Sequence, residues 1–216
     1  MSFLSDLKNQ ATALQHQQLG AQQDFAARAQ ACELACRMAE KYLQDLCTQL
    51  NVIRPTAAGV YSLDGKLRFP ALVLENFRCD ARKKTLRNAE VTDYIGVGWD
   101  LMPAAGDVQT QCVTVNFPPD LERVQERLSM GQVRHERKDQ RHPESQQLLA
   151  YAFDYQTQAR GFITLTAEHD AGQIAFRVSN VGGFEVLSTR YPAAQVTSGL
   201  MDELAKKLLG QPSRFG

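Results

Sequence analysis

The chain has 216 residues, enough to bury one substantial core, and its 44% apolar and 22% charged content argues against a disordered or low-complexity chain. Lysine plus arginine and aspartate plus glutamate each total 24, so no net field steers it toward nucleic acid or an anionic membrane, and any charge-dependent role is local. Met1 to Lys8 lacks the basic and apolar regions of a secretory signal, and no stretch approaches the roughly 18 apolar residues of a membrane span, so a cytoplasmic address is expected.

From Phe3 to Ile53 the apolar period is helical. Leu4, Leu7, Ala11 and Leu14 form a narrow stripe, the mark of a seam, with glutamines and Asn9 filling most of the rest. Beyond Gly20 the stripe widens through Phe25, Ala29, Cys32, Ala35, Cys36, Ala39, Tyr42, Leu43, Leu46, Cys47 and Leu50, which suits a core-facing helix. Asn51 and Pro55 stop it. About 50 helical residues would span roughly 75 Å, and the rest of the chain packs into a body about 40 Å across. Either the helix breaks near Gly20 and folds back, or its overhang meets a second subunit. Residues 1–54 are therefore read as a helical segment whose second half shares one domain with residues 55–216.

Past Pro55 the period becomes 2. Strands are expected near 58–63, 66–82, 90–102 and 111–117, the first two joined by a hairpin turn at Asp64-Gly65. In the second, Val73, Phe77, Cys79 and Ala81 share one face, and Asn76, Arg78, Asp80 and Arg82 the other. Pro118-Pro119-Asp120 opens a short helix, and the charged run from Val133 to Pro143 reads as an exposed edge strand or loop. Further strands follow at Leu148–Gln156, Gly161–Glu168, Gln173–Val181 and Phe184–Tyr191. A last helix starts at Thr197 or Ser198, repeats Leu200, Leu204 and Leu208, and ends at Gly210. The class is α+β: an antiparallel, meander-like sheet of about 6–8 strands between a long N-terminal helical segment and a C-terminal helix.

Four groups of residues invite chemistry. Cys32, Cys36 and Cys47 share one helix face, but about 22 Å along the axis separates the outer two, too far for one ion, and they read as small core residues. The five cysteines, with Cys79 and Cys112, are odd in number and predict free thiols. His135, Glu136, Asp139 and His142 are dense in acid/base groups, but the two histidines point to opposite faces of a strand, and Arg134, Arg137, Lys138 and Arg141 repel a cation. Arg78, Arg82, Lys83, Lys84 and Arg87 make a basic patch able to hold an anion, without the interleaved aromatics of a nucleic-acid stacking platform.

Tyr94, Gly96 and Gly98 share a strand face opposite Ile95, Val97 and Trp99, and the two glycines leave a shallow trough. Either a helix packs into it, or Tyr94, Gly96, Gly98 and Trp99 border a ligand pocket between sheet and helix. No dinucleotide fingerprint, phosphate loop, nucleophile elbow or zinc motif is present, and no cofactor or metal is implied. The reading favoured is a noncatalytic protein that binds itself or another protein through residues 1–24. A small-molecule binding domain comes second, and an enzyme using the His135–His142 region last.

Overall fold

The computed structural model describes residues 3–216, with side chains of the first helix described from Leu7 onward except at 11, 13, 15, 18, 19 and 21. The expected seam residues Leu4 and Ala11 thus lie outside the described side chains. The chain is α+β. Helix α1 (Phe3–Ile53) precedes β1 (Leu72–Leu86), β2 (Ala89–Pro103), β3 (Thr110–Val115), α2 (Pro118–Met130), β4 (His135–Arg141), β5 (Leu148–Gln156), β6 (Ala159–Glu168), β7 (Gln173–Ser179), β8 (Val186–Pro192) and α3 (Ser198–Leu208). The strands form two antiparallel sheets, one of five in the order β1-β2-β6-β7-β8 and one of three in the order β3-β5-β4. Among the described residues, no helix is long and apolar enough to cross a membrane.

α1 runs unbroken through Gly20, so it does not fold back as a hairpin. Its wide stripe is the face it buries: Cys32, Cys36, Ala39, Leu43, Cys47 and Leu50 are withdrawn from solvent and join one core with Phe77, Ile95, Val97, Trp99, Ile163, Leu165, Phe176 and Val178 of the large sheet. Asn51 fastens the end of α1 to β1, its Nδ2 donating to the Phe77 carbonyl at 2.9 Å and its Oδ1 accepting from the Phe77 N–H at 2.7 Å. α3 lies beside α1 with Met201, Leu204 and Leu208 buried. The Thr197 hydroxyl caps it, accepting from Leu200 N–H at 3.4 Å, and Tyr42 of α1 donates to Asp202 at 2.6 Å.

Two expectations fail for local reasons. Asp64-Gly65 is not a strand hairpin: only Gly65 has positive φ, whereas a type I′ turn needs it at both central positions. The Asp64 carboxylate instead accepts from Lys66 and Leu67 N–H at 2.8 and 2.9 Å, closing a compact loop whose flanks share a single bridge, Ser62 with Arg68. Tyr61, Leu63 and Phe69 of this loop plug the core, with Phe69 5.4 Å from the Tyr155 ring and 5.5 Å from Phe184.

The second failure lies in the phase of β1. Pairing with β2 shifts between Glu75 and Arg78, and Asn76 has φ 56°. This bulge puts one extra residue on the strand, so Leu72 and Leu74, not Val73, share the buried face with Phe77. The β1–β2 turn is Arg87-Asn88, with φ of 50° and 65°, a two-residue turn without glycine.

Candidate functional site

β2 sorts its side chains by parity. Ile95, Val97 and Trp99 face α1 and are at most 3% exposed, while Tyr94, Gly96, Gly98 and Asp100 face away from it. The trough over the glycines therefore receives no helix, and the space between α1 and the sheet is filled by side chains. Trp99 belongs to that filled layer, stacked on Phe77 at 5.7 Å, and its ring is turned away from Gly96 and Gly98.

What the glycines leave is an open groove of about 330 Å³ on the outer face of the large sheet. Register brings its walls together: Gly98 lies between Arg78 of β1 and Phe162 of β6, and Gly96 between Asp80 and Thr164. A Cβ at Gly98 would lie 3.4 Å from the Phe162 ring, and one at Gly96 would lie 3.3 Å from Asp80 Oδ1 and 3.6 Å from the Tyr94 ring. The aromatic rings thus lean over the glycine floor. At one end Asp100 accepts from Asn76 Nδ2 at 3.0 Å and from Arg160 Nε at 3.1 Å, which fixes that rim.

The basic run divides at the second register shift of β1, between Arg82 and Lys83. Lys83 pairs with Glu90 and Lys84 with Asp93, each at 2.9 Å, and Arg87 reaches Asp170 at 2.8 Å while lying 3.6 Å over the Phe25 ring. Arg78 and Arg82 stay on the groove face, Arg82 at 5.7 Å from the Tyr94 ring, and neither has an ion-pair partner among the described residues. The patch is therefore two free guanidinium groups beside an aromatic groove and three neutralised charges around the hairpin tip.

The His135–His142 region is an exposed edge strand whose polar groups are used locally. His135 Nδ1 lies 2.8 Å from the Val133 carbonyl, His142 Nδ1 accepts from Glu144 and Ser145 N–H at 3.3 Å, and Asp139 pairs with Arg137 and Arg141. Cys32, Cys36 and Cys47 sit in the core stripe as free thiols, and burial pushes the Cys36 thiol up to about 12. Among the described residues, no group of three or more ligand-type side chains is arranged to hold a metal ion.

Sequence reasoning missed two features. Phe162, Thr164 and Arg160 line the groove from a strand some 60 positions away, a juxtaposition carried by strand register and by no local pattern. The other is a partly buried clamp: Glu33 of α1 meets His169 Nε2 at 2.9 Å and accepts from Thr92 N–H at 2.8 Å and Thr92 Oγ1 at 3.1 Å. A carboxylate on the rim of an apolar stripe was its only signal.

The start of α1 differs from the rest of the helix. Phe25, under Arg87, is where the helix meets the hairpin tip. Before it, Leu7 is 46% exposed and Leu14 58%, although the seam spacing pairs them on one face. No protein-family model, no curated protein and no solved structure matches this chain.

Proposed function

We propose that this protein is a noncatalytic assembly protein that pairs with a second copy of itself through residues 1–24. The observation that carries the reading is the unbroken α1 with Leu7 and Leu14 open to solvent ahead of Cys32, the first fully buried residue of the helix among the described side chains. From Phe3 to Asp24 the helix reaches about 33 Å beyond the hairpin tip at 1.5 Å per residue. A glutamine-rich helix of that length gains little from propensity alone, because helices in water draw most of their stability from packing an apolar face.

The sequence supplies such a face. Leu4, Leu7, Ala11, Leu14, Gln18, Ala21 and Phe25 fall on alternating a and d positions of a heptad, the spacing of a two-stranded seam. Gln18 at an a position is the kind of polar residue that sets register. Asp6, Lys8 and Asp24 leave the segment nearly neutral, so two copies can approach without strong repulsion.

Light scattering on the full chain and on a Leu7→Asp, Leu14→Asp double variant tests the reading. The expected result is a dimer for the parent chain and a monomer for the variant, with unchanged far-ultraviolet circular dichroism of the body. A parent chain that stays monomeric at tens of micromolar, or a variant that keeps the parent mass, contradicts it.

A further inference from the structure

We infer that the groove over Gly96 and Gly98 binds a small planar aromatic acid that carries a hydrogen-bond donor at the end opposite its acid. This site lies on the outer face of the sheet, so it stands or falls separately from assembly through α1. Its volume of about 330 Å³ is at the small end of ligand sites. The floor is two glycines without side chains, and the Tyr94 and Phe162 rings border it with apolar ring atoms that an aromatic ligand can pack against.

The two ends of the ligand are read from the charges. Arg78 lies beside Gly98 with no carboxylate paired to it among the described residues, and a guanidinium takes a carboxylate through two parallel hydrogen bonds. Asp80 lies beside Gly96, likewise without an ion-pair partner there, and a carboxylate only accepts hydrogen bonds. Arg78 and Asp80 are successive outward positions of β1, roughly 7 Å apart along a strand, and the length of the arginine side chain adds to that spacing, so the two charged groups can address opposite ends of one small ring. Asp80 also weighs against a polyanion: Asp100 is neutralised by Arg160, but the unpaired Asp80 carboxylate beside Gly96 repels a nucleic-acid backbone or a multiply charged phosphate, whereas a singly charged acid can turn its donor toward it.

The test uses the full chain with 4-aminobenzoate and 4-hydroxybenzoate as probes, benzoate lacking the donor, and 4-hydroxybenzyl alcohol lacking the acid, each titrated by ligand-observed NMR. The expected result is saturable binding of the first two, with at least tenfold weaker binding of the alcohol and weaker binding of benzoate. Arg78→Gln, an exposed change that leaves the core intact, should weaken the donor-bearing acids at least tenfold, and Asp80→Ala, which leaves no acceptor at that exposed position, should remove their advantage over benzoate. Lys41→Gln, which removes the same charge from the exposed side of α1, should change nothing. The inference is overturned if no probe saturates at millimolar concentration, if Arg78→Gln binds as the parent does, or if Lys41→Gln weakens binding equally, since that would be diffuse attraction.

Discussion

Glu33 stands on the rim of the buried stripe of α1 and ties three elements together through His169 and Thr92. Burial raises its carboxyl, but the hydrogen bonds from His169 and Thr92 outweigh that and hold it below its ordinary 4.5. A carboxyl whose pKa is lower folded than unfolded stabilises the fold above the unfolded value and loses that contribution as pH falls through the folded one. Stability should therefore drop as the pH falls below about 4.5, and Glu33→Gln should lower stability at pH 7 while flattening that acid limb. Urea titrations from pH 7 to pH 3 check this, and an unchanged acid limb in the variant would assign the loss to other carboxylates.

Gly161 is a second single-residue constraint. It pairs with Trp99 across β2 and β6, and a Cβ there would overlap the indole ring. Gly161→Ala should cost about 1–3 kcal/mol, the usual range for overpacking a filled core, read from the denaturation midpoint. At this scale the parity of β2 was legible: alternation put Ile95, Val97 and Trp99 on one face and the glycines on the other. The groove's second wall was not, because Phe162 and Thr164 reach it through pairing between strands distant in sequence.

Among the elements, β1 teaches most. Its apolar positions read as a continuous period of 2, yet the bulge at Asn76 shifts the phase, so a pattern that fits Phe77 and Cys79 mis-assigns Val73. Asn76 holds φ 56° and its side chain donates to Asp100, two properties asparagine combines easily and a β-branched residue cannot. Asn76→Val should cost about 1–3 kcal/mol from backbone strain, and Asn76→Gly should recover most of it, both read by denaturation. Equal stability of the two variants would mean that the bulge relaxes.

The turns show the same limit on local reading. Asp64-Gly65 carries the strongest hairpin dipeptide in the chain but caps a loop, whereas Arg87-Asn88 makes the tight turn without glycine. Arg87 has support from outside the turn, since Phe25 and Asp170 hold its side chain. The helices were legible because their signals are local. The widening of the α1 stripe marked the face that joins the sheet, and Thr197, Lys206, Lys207 and Gly210 marked the ends of α3.

For the whole molecule, length was the informative quantity. A helix of 51 residues is longer than the sheet it packs on, and the β1–β2 hairpin accompanies it only as far as Phe25. Among the described side chains, core burial starts at Cys32, and those before Phe25 add none of it, which is why the proposed interface is placed there. The split into sheets of five and three strands was not legible, because β5 and β6 are separated by only Thr157 and Gln158 and read as a simple meander. Thr157 is fully buried and its hydroxyl accepts from Gln109 N–H at 3.0 Å, which anchors the strand where it passes from one sheet to the other.

The most direct test of the central claim is a pair of native mass spectra, one of the full chain and one of residues 25–216, at matched micromolar concentration. Assembly through the N-terminal helix predicts a dimer that becomes monomeric when the first 24 residues are removed. A full chain that is already monomeric, or a dimer that survives the truncation, would contradict it.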